Sequence, residues 1–368
     1  MSPKIFYRAD HVGSLLRPPE LLDARQRLAD GDLDPGGLKV IEDDAIIDAV
    51  RLQEAAGLEI ISDGEFRRDV FWKDFISKVS GTEICSAANT NIAVGAAKFA
   101  HAPKHVRVID RLARPKPITV EDYRVVKAFT DRAVKITLPT PTRFNIMDGP
   151  AWINQDAYPD SDAMWSDIID IYRREIADLE DAGCRYIQID EPYLAFFVDD
   201  ARRKTMEDVH AKSCNALLDE YVDIINESVA TRCANTYLTL HICRGNSEST
   251  WYAAGGYERI SRAISGLAVD ALLLEYDDAR SGGFEPLRAV PETCKVVLGL
   301  VSSKFPELES HELLKRRVTE ASVYVAMENL ALSPQCGFAS TSKGNNITEA
   351  EQTAKLRLVV EAACEMWG

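Results

Sequence analysis

Four residues with metal-binding side chains end apolar segments in the second half of the chain. His241 and Cys243 lie two positions apart in LTLHICRGN, Glu275 ends LLLE, and Cys336 follows an apolar run in LSPQCGF. Residues two apart at a strand end point to the same side, so one ion can reach both His241 and Cys243. Two thiolates, an imidazole and a carboxylate are a tetrahedral zinc set, and the sequence therefore predicts a zinc site from these four residues.

Sulfur ligands suit zinc to one kind of chemistry. They leave the ion less acidic than three histidines would, so the site favours binding a substrate thiol as a nucleophilic thiolate over making hydroxide. We expect Glu275 to be the ligand that gives up its place when the substrate sulfur arrives. The alternative is a core histidine beside an inert thiol, with Glu275 as a surface or outer carboxylate.

Further polar residues close apolar runs earlier in the chain, in HVGSLLRP, ISDGEFRRD and YIQIDEP; they are Ser14, Asp63, Glu65, Asp190 and Glu191. Arg17, Arg67 and Arg68 follow closely. Arg67 and Arg68 could neutralise Glu65, or one of them could bind a substrate carboxylate or sulfonate, and Arg17 after Ser14 is a similar case. Asp190 and Glu191 could instead cap a turn or pair with a lysine, and His11 could be structural or could face the cavity.

The elements that must position these residues form a repeating pattern. Short apolar or β-branched runs alternate with amphipathic segments; the runs cover residues 5–14, 58–63, 134–139, 186–190, 237–241, 271–275, 296–301 and 331–333. Helical spacing is clear at 164–182 and 313–330, and Gly57 and Gly183 stand at expected helix ends. Eight strands with intervening helices favour a single (β/α)8 TIM barrel domain over residues 1–368, in which working residues lie at the carboxyl ends of strands.

The segment 66–133 is too long for one loop and one helix. It includes a charged, proline-containing stretch at 101–117. We expect an inserted subdomain or lid after the second strand. Aromatic residues expected near the mouth are Phe71, Trp72, Trp165 and Tyr193, although their spacing equally suits core positions.

Composition excludes several classes of protein. A net charge of −15 and a pI near 5.0 give no footprint for nucleic acid. The apolar runs are too short to cross a membrane, and the first residues lack the apolar stretch of a signal peptide, so we expect a cytoplasmic protein. Eight cysteines without regular spacing predict mostly buried free thiols. No glycine-rich phosphate motif follows a strand.

The motifs HVGS, DGEFRRD, IQIDEP, HIC, LLLE and SPQCG carry a family resemblance. In order and position they resemble the catalytic half of cobalamin-independent methionine synthase and its shorter single-barrel relatives, over residues 11–337. The resemblance implies that His241, Cys243, Glu275 and Cys336 bind zinc and that homocysteine is the thiol. It also implies that Ser14, Glu65 and Asp190 hold the amino-acid part of homocysteine. Two carboxylates in one cavity require a cation, which an α-amino group supplies.

The chain departs from this family at two points. No tryptophan follows the third-strand sequence LPTPTRFNIMDGP until Trp152, so a folate methyl donor is not indicated. After the seventh strand the family has a histidine that carries a proton, whereas this chain reads VSSKF. Lys304, His11 and Glu191 are therefore the candidate acid–base residues.

Three functions remain open from the sequence. The first is methyl transfer to homocysteine from an unidentified donor, by a protein that could form homo-oligomers. The second is thiolate addition like that of the related epoxyalkane:coenzyme M transferases, for which Arg17, Arg67 or Arg68 would bind a sulfonate. The third is a non-catalytic zinc protein. The pair Glu65 and Asp190 favours an amino-acid thiol, and ligands spread over three strand ends indicate a cavity instead of a closed structural site.

Overall fold

The computed structural model describes residues 6–86 and 104–368 of the chain. Seven parallel strands form one curled sheet in chain order; they are β1 (Ile60–Ile61), β4 (Ala133–Pro139), β5 (Tyr186–Asp190), β6 (Tyr237–Ile242), β7 (Ala271–Glu275), β8 (Lys295–Val301) and β9 (Leu330–Pro334). Each falls within or overlaps a predicted run. Parallel strands in chain order bring all their carboxyl ends to one edge of the sheet.

The predicted first strand, residues 5–14, is the exception. Its described part makes a single bridge, Ala9 to Leu332, with Asp10 N donating to Leu332 O at 2.9 Å. Gly13 has a φ of 126°, a conformation open mainly to glycine, and it turns the chain out of an extended course. The strand prediction was therefore too long, and closure into a complete eight-stranded barrel stays a prediction.

Ten helices lie in the described part of the chain; they are α1 (Pro19–Asp30), α2 (Pro35–Ala55), α3 (Lys73–Ser77), α4 (Val120–Lys127), α5 (Ser161–Asp181), α6 (Asp200–His210), α7 (Cys214–Val229), α8 (Ser261–Gly266), α9 (His311–Ala321) and α10 (Glu349–Trp367). Gly57 and Gly183 follow α2 and α5 with φ values of 92° and 102°, as expected for helix ends. None of these helices is both long enough and apolar enough to span a bilayer.

The helix predicted over 313–330 is shorter than expected. α9 ends at Ala321, and a short 3-10 turn at Met327–Asn329 leads directly into β9. The apolar spacing continues because this connection also packs on the core, where Val325 is buried. Apolar period alone therefore did not reveal where the helix stopped.

Between β1 and β4 the chain forms more than one element. α3 is followed by an antiparallel pair, β2 (Ser80–Ser86) and β3 (Lys104–Ala113), and then by α4. Val106 and Val108 on β3 are buried, which fixes one face of this pair against the main body. Residues 87–103, which include the start of the charged stretch at 101–117, lie outside the described residues. The limits 66–133 and the role of a lid stay predictions.

Both faces of the sheet are buried. The outer face packs against the helices through residues such as Leu138, Ile189 and Leu240. The inner face has its own small cluster, which includes Ile60, Tyr186, Tyr237, Ala271, Leu273, Val297 and Ala331. Strands buried on both sides read as continuous apolar runs, so a polar residue at a strand end stands out in the sequence.

Candidate metal and substrate site

His241, Cys243 and Cys336 meet at the carboxyl edge of the sheet. His241 lies in β6, Cys243 follows that strand, and Cys336 follows β9. One ligand atom from each lies within 4.8 Å of the other two, and all three residues are buried. Within the described residues, neither ring nitrogen of His241 has a hydrogen-bond partner. Two sulfurs and an unsatisfied imidazole directed at one point fit a zinc ion.

The two thiols share their electrostatic environment. A hydrogen bond with Cys243, aided by His241, lowers the pKa of Cys336 well below its usual value. The same hydrogen bond, together with burial, raises the pKa of Cys243. The two thiols therefore have pKa values shifted in opposite directions. A bound cation would favour deprotonation of both.

The loop that carries Cys336 can approach the first segment because residue 337 is glycine. A Cβ atom at Gly337 would lie 1.9 Å from Ser14 Oγ. Asn246 Nδ2 donates to Gly337 O at 2.7 Å and so links this loop to the one that carries Cys243. Gly337 therefore brings Ser14 and the metal-binding group to the same place.

Glu275 ends β7 beside this group but lies outside the set of atoms within 4.8 Å. Its Oε1 accepts from Arg280 at 2.5 Å, its Oε2 accepts from Arg244 N at 2.7 Å, and Lys304 Nζ lies 4.0 Å away. Burial would raise the pKa of Glu275, but Lys304, Arg244 and Arg280 lower it below its usual value. The predicted fourth ligand is thus an ionised carboxylate held by cations next to the other three.

A cavity of about 310 Å³ connects the metal-binding group to three of the predicted substrate residues, Ser14, Glu65 and Asp190. Glu65 has a φ of 59°, which is costly for a residue with a side chain. Its Oε1 accepts from Thr137 Oγ1 at 2.8 Å and from Arg68 at 3.2 Å. Its Oε2 is buried and has no hydrogen-bond partner among the residues that the structure describes.

Asp190 ends β5 and shares this cavity with Glu65. Its Oδ1 accepts from Gln188 Nε2 at 2.7 Å. Burial, with the charge of Glu65, raises the pKa of Asp190 to about 7. Two buried carboxylates that destabilise each other's charge form a site for a cation.

The three arginines considered as substrate ligands are bonded within the protein. Arg17 donates to the backbone oxygens of Leu15, Glu65, Arg68 and Ala339 and does not line the cavity. Arg67 forms ion pairs with Glu42, Asp43 and Asp122. Arg68 is held by Glu65 and Thr137. Arg68 thus pairs with Glu65, as the neutralising alternative predicts, whereas the carboxylates that Arg67 pairs with are Glu42, Asp43 and Asp122.

The three candidate acid–base residues lie outside the cavity wall. Burial, with Lys135, lowers the pKa of His11 to about 4, and His11 Nε2 contacts Ile60 O at 3.1 Å. Lys304 is buried, and its Nζ has no hydrogen-bond partner in the described part of the chain. Glu191 caps the turn after β5, where its Oε1 accepts from Tyr193 N at 3.0 Å and Leu194 N at 3.1 Å. The capping alternative is thus the geometry seen for Glu191.

Several aromatic residues line the cavity. Phe71, Trp72 and Tyr193 are there as expected, whereas Trp165 packs edge-on to Tyr221 between α5 and α7. Sequence analysis missed several lining residues, among them Arg143, Met147, Phe196, Asn246 and Tyr252. Arg143 lies 4.1 Å from the ring centre of Trp72. It follows β4 in TPTRFN, so the strand-end rule applied to β4 would have found it.

Comparisons with known proteins agree with this geometry. The profile described as "Cobalamin-independent synthase, Catalytic domain" matches residues 9–365. The uncharacterized protein YxjG of Bacillus subtilis is 40% identical over 365 residues, 98% of this chain and 95% of its own. The methionine synthase of Pyrococcus horikoshii is 25% identical over 328 residues, 89% of this chain and 85% of its own.

A crystal structure of similar fold extends the comparison to three dimensions. The putative vitamin-B12 independent methionine synthase from Listeria monocytogenes aligns over the whole of both chains, with a TM-score of 0.77 and 29% identity. A profile match over nearly the whole chain, a close sequence relative and a full-length structural match are consistent with one another. The chain belongs to the cobalamin-independent methionine synthase family, of which it contains the catalytic domain.

Proposed function

We propose that the protein transfers a methyl group to the sulfur of homocysteine, giving methionine, with zinc as its metal. One observation carries the proposal. A single cavity joins the buried His241, Cys243 and Cys336 group to the carboxylate pair Glu65 and Asp190. A thiol-binding metal and a cation site in one cavity match an amino acid whose side chain ends in sulfur.

His241, Cys243 and Cys336 would hold the zinc, with Glu275 as the fourth and exchangeable ligand. Zinc is a Lewis acid and, bound here, would lower the pKa of a substrate thiol. Glu65 and Asp190 bind the ammonium group, and the unpartnered Oε2 of Glu65 is available for that bond. Ser14 lines the same cavity and would contact the amino-acid part.

The reaction is an in-line displacement at the methyl carbon. The thiol gives up its proton, a sulfur–carbon bond forms, and the bond from methyl to donor breaks with its electron pair leaving on the donor, which takes up one proton in exchange for the methyl group. The protein's own contribution is to orient the sulfur and exclude water. The donor occupies the end lined by Phe71, Trp72 and Tyr193. Trp72 provides a flat ring surface there. It lies in a different segment from the tryptophan that the family has after its third strand.

We also propose that the fold is a closed barrel with a lid. The segment around Ala9 and Leu15 completes the sheet as the eighth member of a (β/α)8 barrel, which is supported by its contact to Leu332 on one side and Gly64 on the other. The insertion within 66–133 brings Lys104 and Trp72 to the cavity, as a lid would. We place the enzyme in the cytoplasm, with small-molecule substrates.

The two other functions have less support. Coenzyme M binding would require a cation for the sulfonate, and the three arginines that the sequence offers for it, Arg17, Arg67 and Arg68, are engaged by protein oxygens. Arg143, which lines the cavity, is itself paired with Asp148. A sulfonate would also face the carboxylates of Glu65 and Asp190. A non-catalytic zinc protein would not account for the cavity or for the strained backbone of Glu65.

Zinc content and zinc-edge X-ray absorption test the proposal directly. We expect about one zinc per chain, as one four-ligand site would hold. We expect the ion to gain one sulfur ligand when homocysteine is added, and none when coenzyme M is added. A gain with coenzyme M alone would support the epoxide chemistry. A protein that binds no zinc would overturn the proposal.

A further inference from the structure

The carboxylate of Glu275 lies outside the metal-binding group and bonds to Arg280 through Oε1. Arg280 donates to Glu275 Oε1 at 2.5 Å, and both side chains are largely buried, with 8% and 0% exposure. This ion pair is separate from the cavity, which neither residue lines. A charge-assisted bond in a buried setting is strong enough to compete with a metal for the same oxygen.

Arg280 is itself fixed in position. The guanidinium of Arg280 lies 4.3 Å from the ring centre of Trp251. Trp251 is 41% exposed, so its ring lies between Arg280 and the solvent. Asp277 and Asp278 each lie 3.3 Å from a terminal nitrogen of Arg280. The arginine therefore stays next to Glu275 whether or not it bonds to the carboxylate.

We infer that Arg280 is a positioning residue that competes with the metal for Glu275 and receives the carboxylate when the substrate sulfur displaces it. The inference rests on the proposed function, in which Glu275 is the exchangeable ligand. Arg280 then provides the displaced carboxylate with a second binding partner. Lys304 Nζ, 4.0 Å from the same oxygen, adds positive charge to that place. A carboxylate that leaves the metal thus exchanges one cation for another and is never left buried without a partner.

This arrangement predicts opposite effects on two equilibria. While Glu275 binds the metal it loses its bond with Arg280, so Arg280 weakens metal binding. When the thiol displaces Glu275 the bond with Arg280 forms again, so Arg280 strengthens thiol binding. Damage to the fold at this position would instead weaken both.

The test is the Arg280→Gln variant of the full chain. Against a chromophoric chelator, zinc should bind about tenfold to a hundredfold more tightly than in the wild type, and calorimetry of the zinc-loaded protein should show homocysteine binding weakened by a similar factor. In the Glu275→Gln background, which has no carboxylate to compete for, Arg280→Gln should change either constant by no more than about twofold. Arg280→Lys keeps the positive charge, so its two binding constants, for zinc and for homocysteine, should lie between those of the wild type and Arg280→Gln.

Arg259→Gln is the matched control, because Arg259 forms a surface ion pair with Asp200, and it should change neither constant. Zinc binding that is unchanged or weaker in Arg280→Gln would overturn the inference, as would equal effects with and without the Glu275 carboxylate. The zinc measurement needs no homocysteine. A wild-type protein that binds zinc but no homocysteine would therefore refute the proposed substrate while leaving the role of Arg280 to be judged on the chelator data.

Discussion

Glu65 combines a strained backbone with an unsatisfied oxygen in the cavity. The sequence singled it out, because a carboxylate at a strand end is unusual, and the same rule singled out His241, Cys243 and Cys336. The rule could not indicate how charges pair across the site. Arg280 follows Glu275 closely in the chain, but only the fold shows that it bonds to the carboxylate and that Lys304 approaches from another strand end.

The Glu65→Gln variant tests the ammonium site. Removing one charged partner of a buried hydrogen bond should weaken homocysteine binding by about tenfold to a hundredfold. Mercaptobutanoate, which is homocysteine without its amino group, should bind equally to the variant and the wild type. Calorimetry with both thiols makes the comparison. Glu248→Gln, at the exposed mouth of the cavity, is the control. Equal losses for both thiols would mean that Glu65 does not contact the ammonium group.

Strands were easier to predict than their ends and connections. β4 to β9 are buried on both faces, so their apolar runs were visible in the sequence. The segment before Gly13 has a similar composition. The φ of 126° at Gly13 cannot be deduced from local sequence, so the extended run was overpredicted. The helix ending at Ala321 was overpredicted because the connection after it is apolar too. Tertiary packing decided both cases.

The turn after β5 provides a test at the scale of one element. Burial raises the pKa of Glu191 to about 7, where it caps that turn. A carboxyl group with a raised pKa in the folded state contributes stability below its ordinary pKa, and this contribution is lost as the pH rises through about 7. Relative to Glu191→Gln, the wild type should therefore lose free energy of unfolding, by at most about 1.4 kcal/mol per pH unit, between about pH 5 and pH 7.

Urea unfolding of both proteins across this pH range measures the difference. Glu292→Gln, at an exposed position, should give a difference that does not depend on pH. If Glu191→Gln behaves in the same way as that control, then Glu191 is ionised at the same pH in the folded and unfolded chains, and burial does not govern it.

At the scale of the molecule, the site depends on the whole sheet. His241 and Cys243 come from β6 and Cys336 from the end of β9, while the carboxylates come from the ends of β1 and β5. The family resemblance covers nearly the entire chain for this reason. Composition predicted no nucleic-acid partner, and it could not indicate the donor, because the cavity is lined by residues from several distant segments.

Metal removal should therefore affect global stability. An ion that binds only the native state at about a thousand times its dissociation constant adds about 4 kcal/mol, so a chelator should lower the melting temperature by several degrees. Differential scanning calorimetry with and without chelator provides the measurement. Cys336→Ser should melt at one temperature under both conditions. A wild-type protein whose melting temperature ignores the chelator would show that the site holds no ion.

The positions of the ligands also constrain how the site is assembled during synthesis. A growing chain carries His241 and Cys243 long before Cys336 has been translated, since β7, β8 and β9 lie between them. A pair of ligands holds zinc far more weakly than a full set. The nascent chain would therefore build most of its sheet without help from an ion, and an ion would bind late, to a fold that already exists.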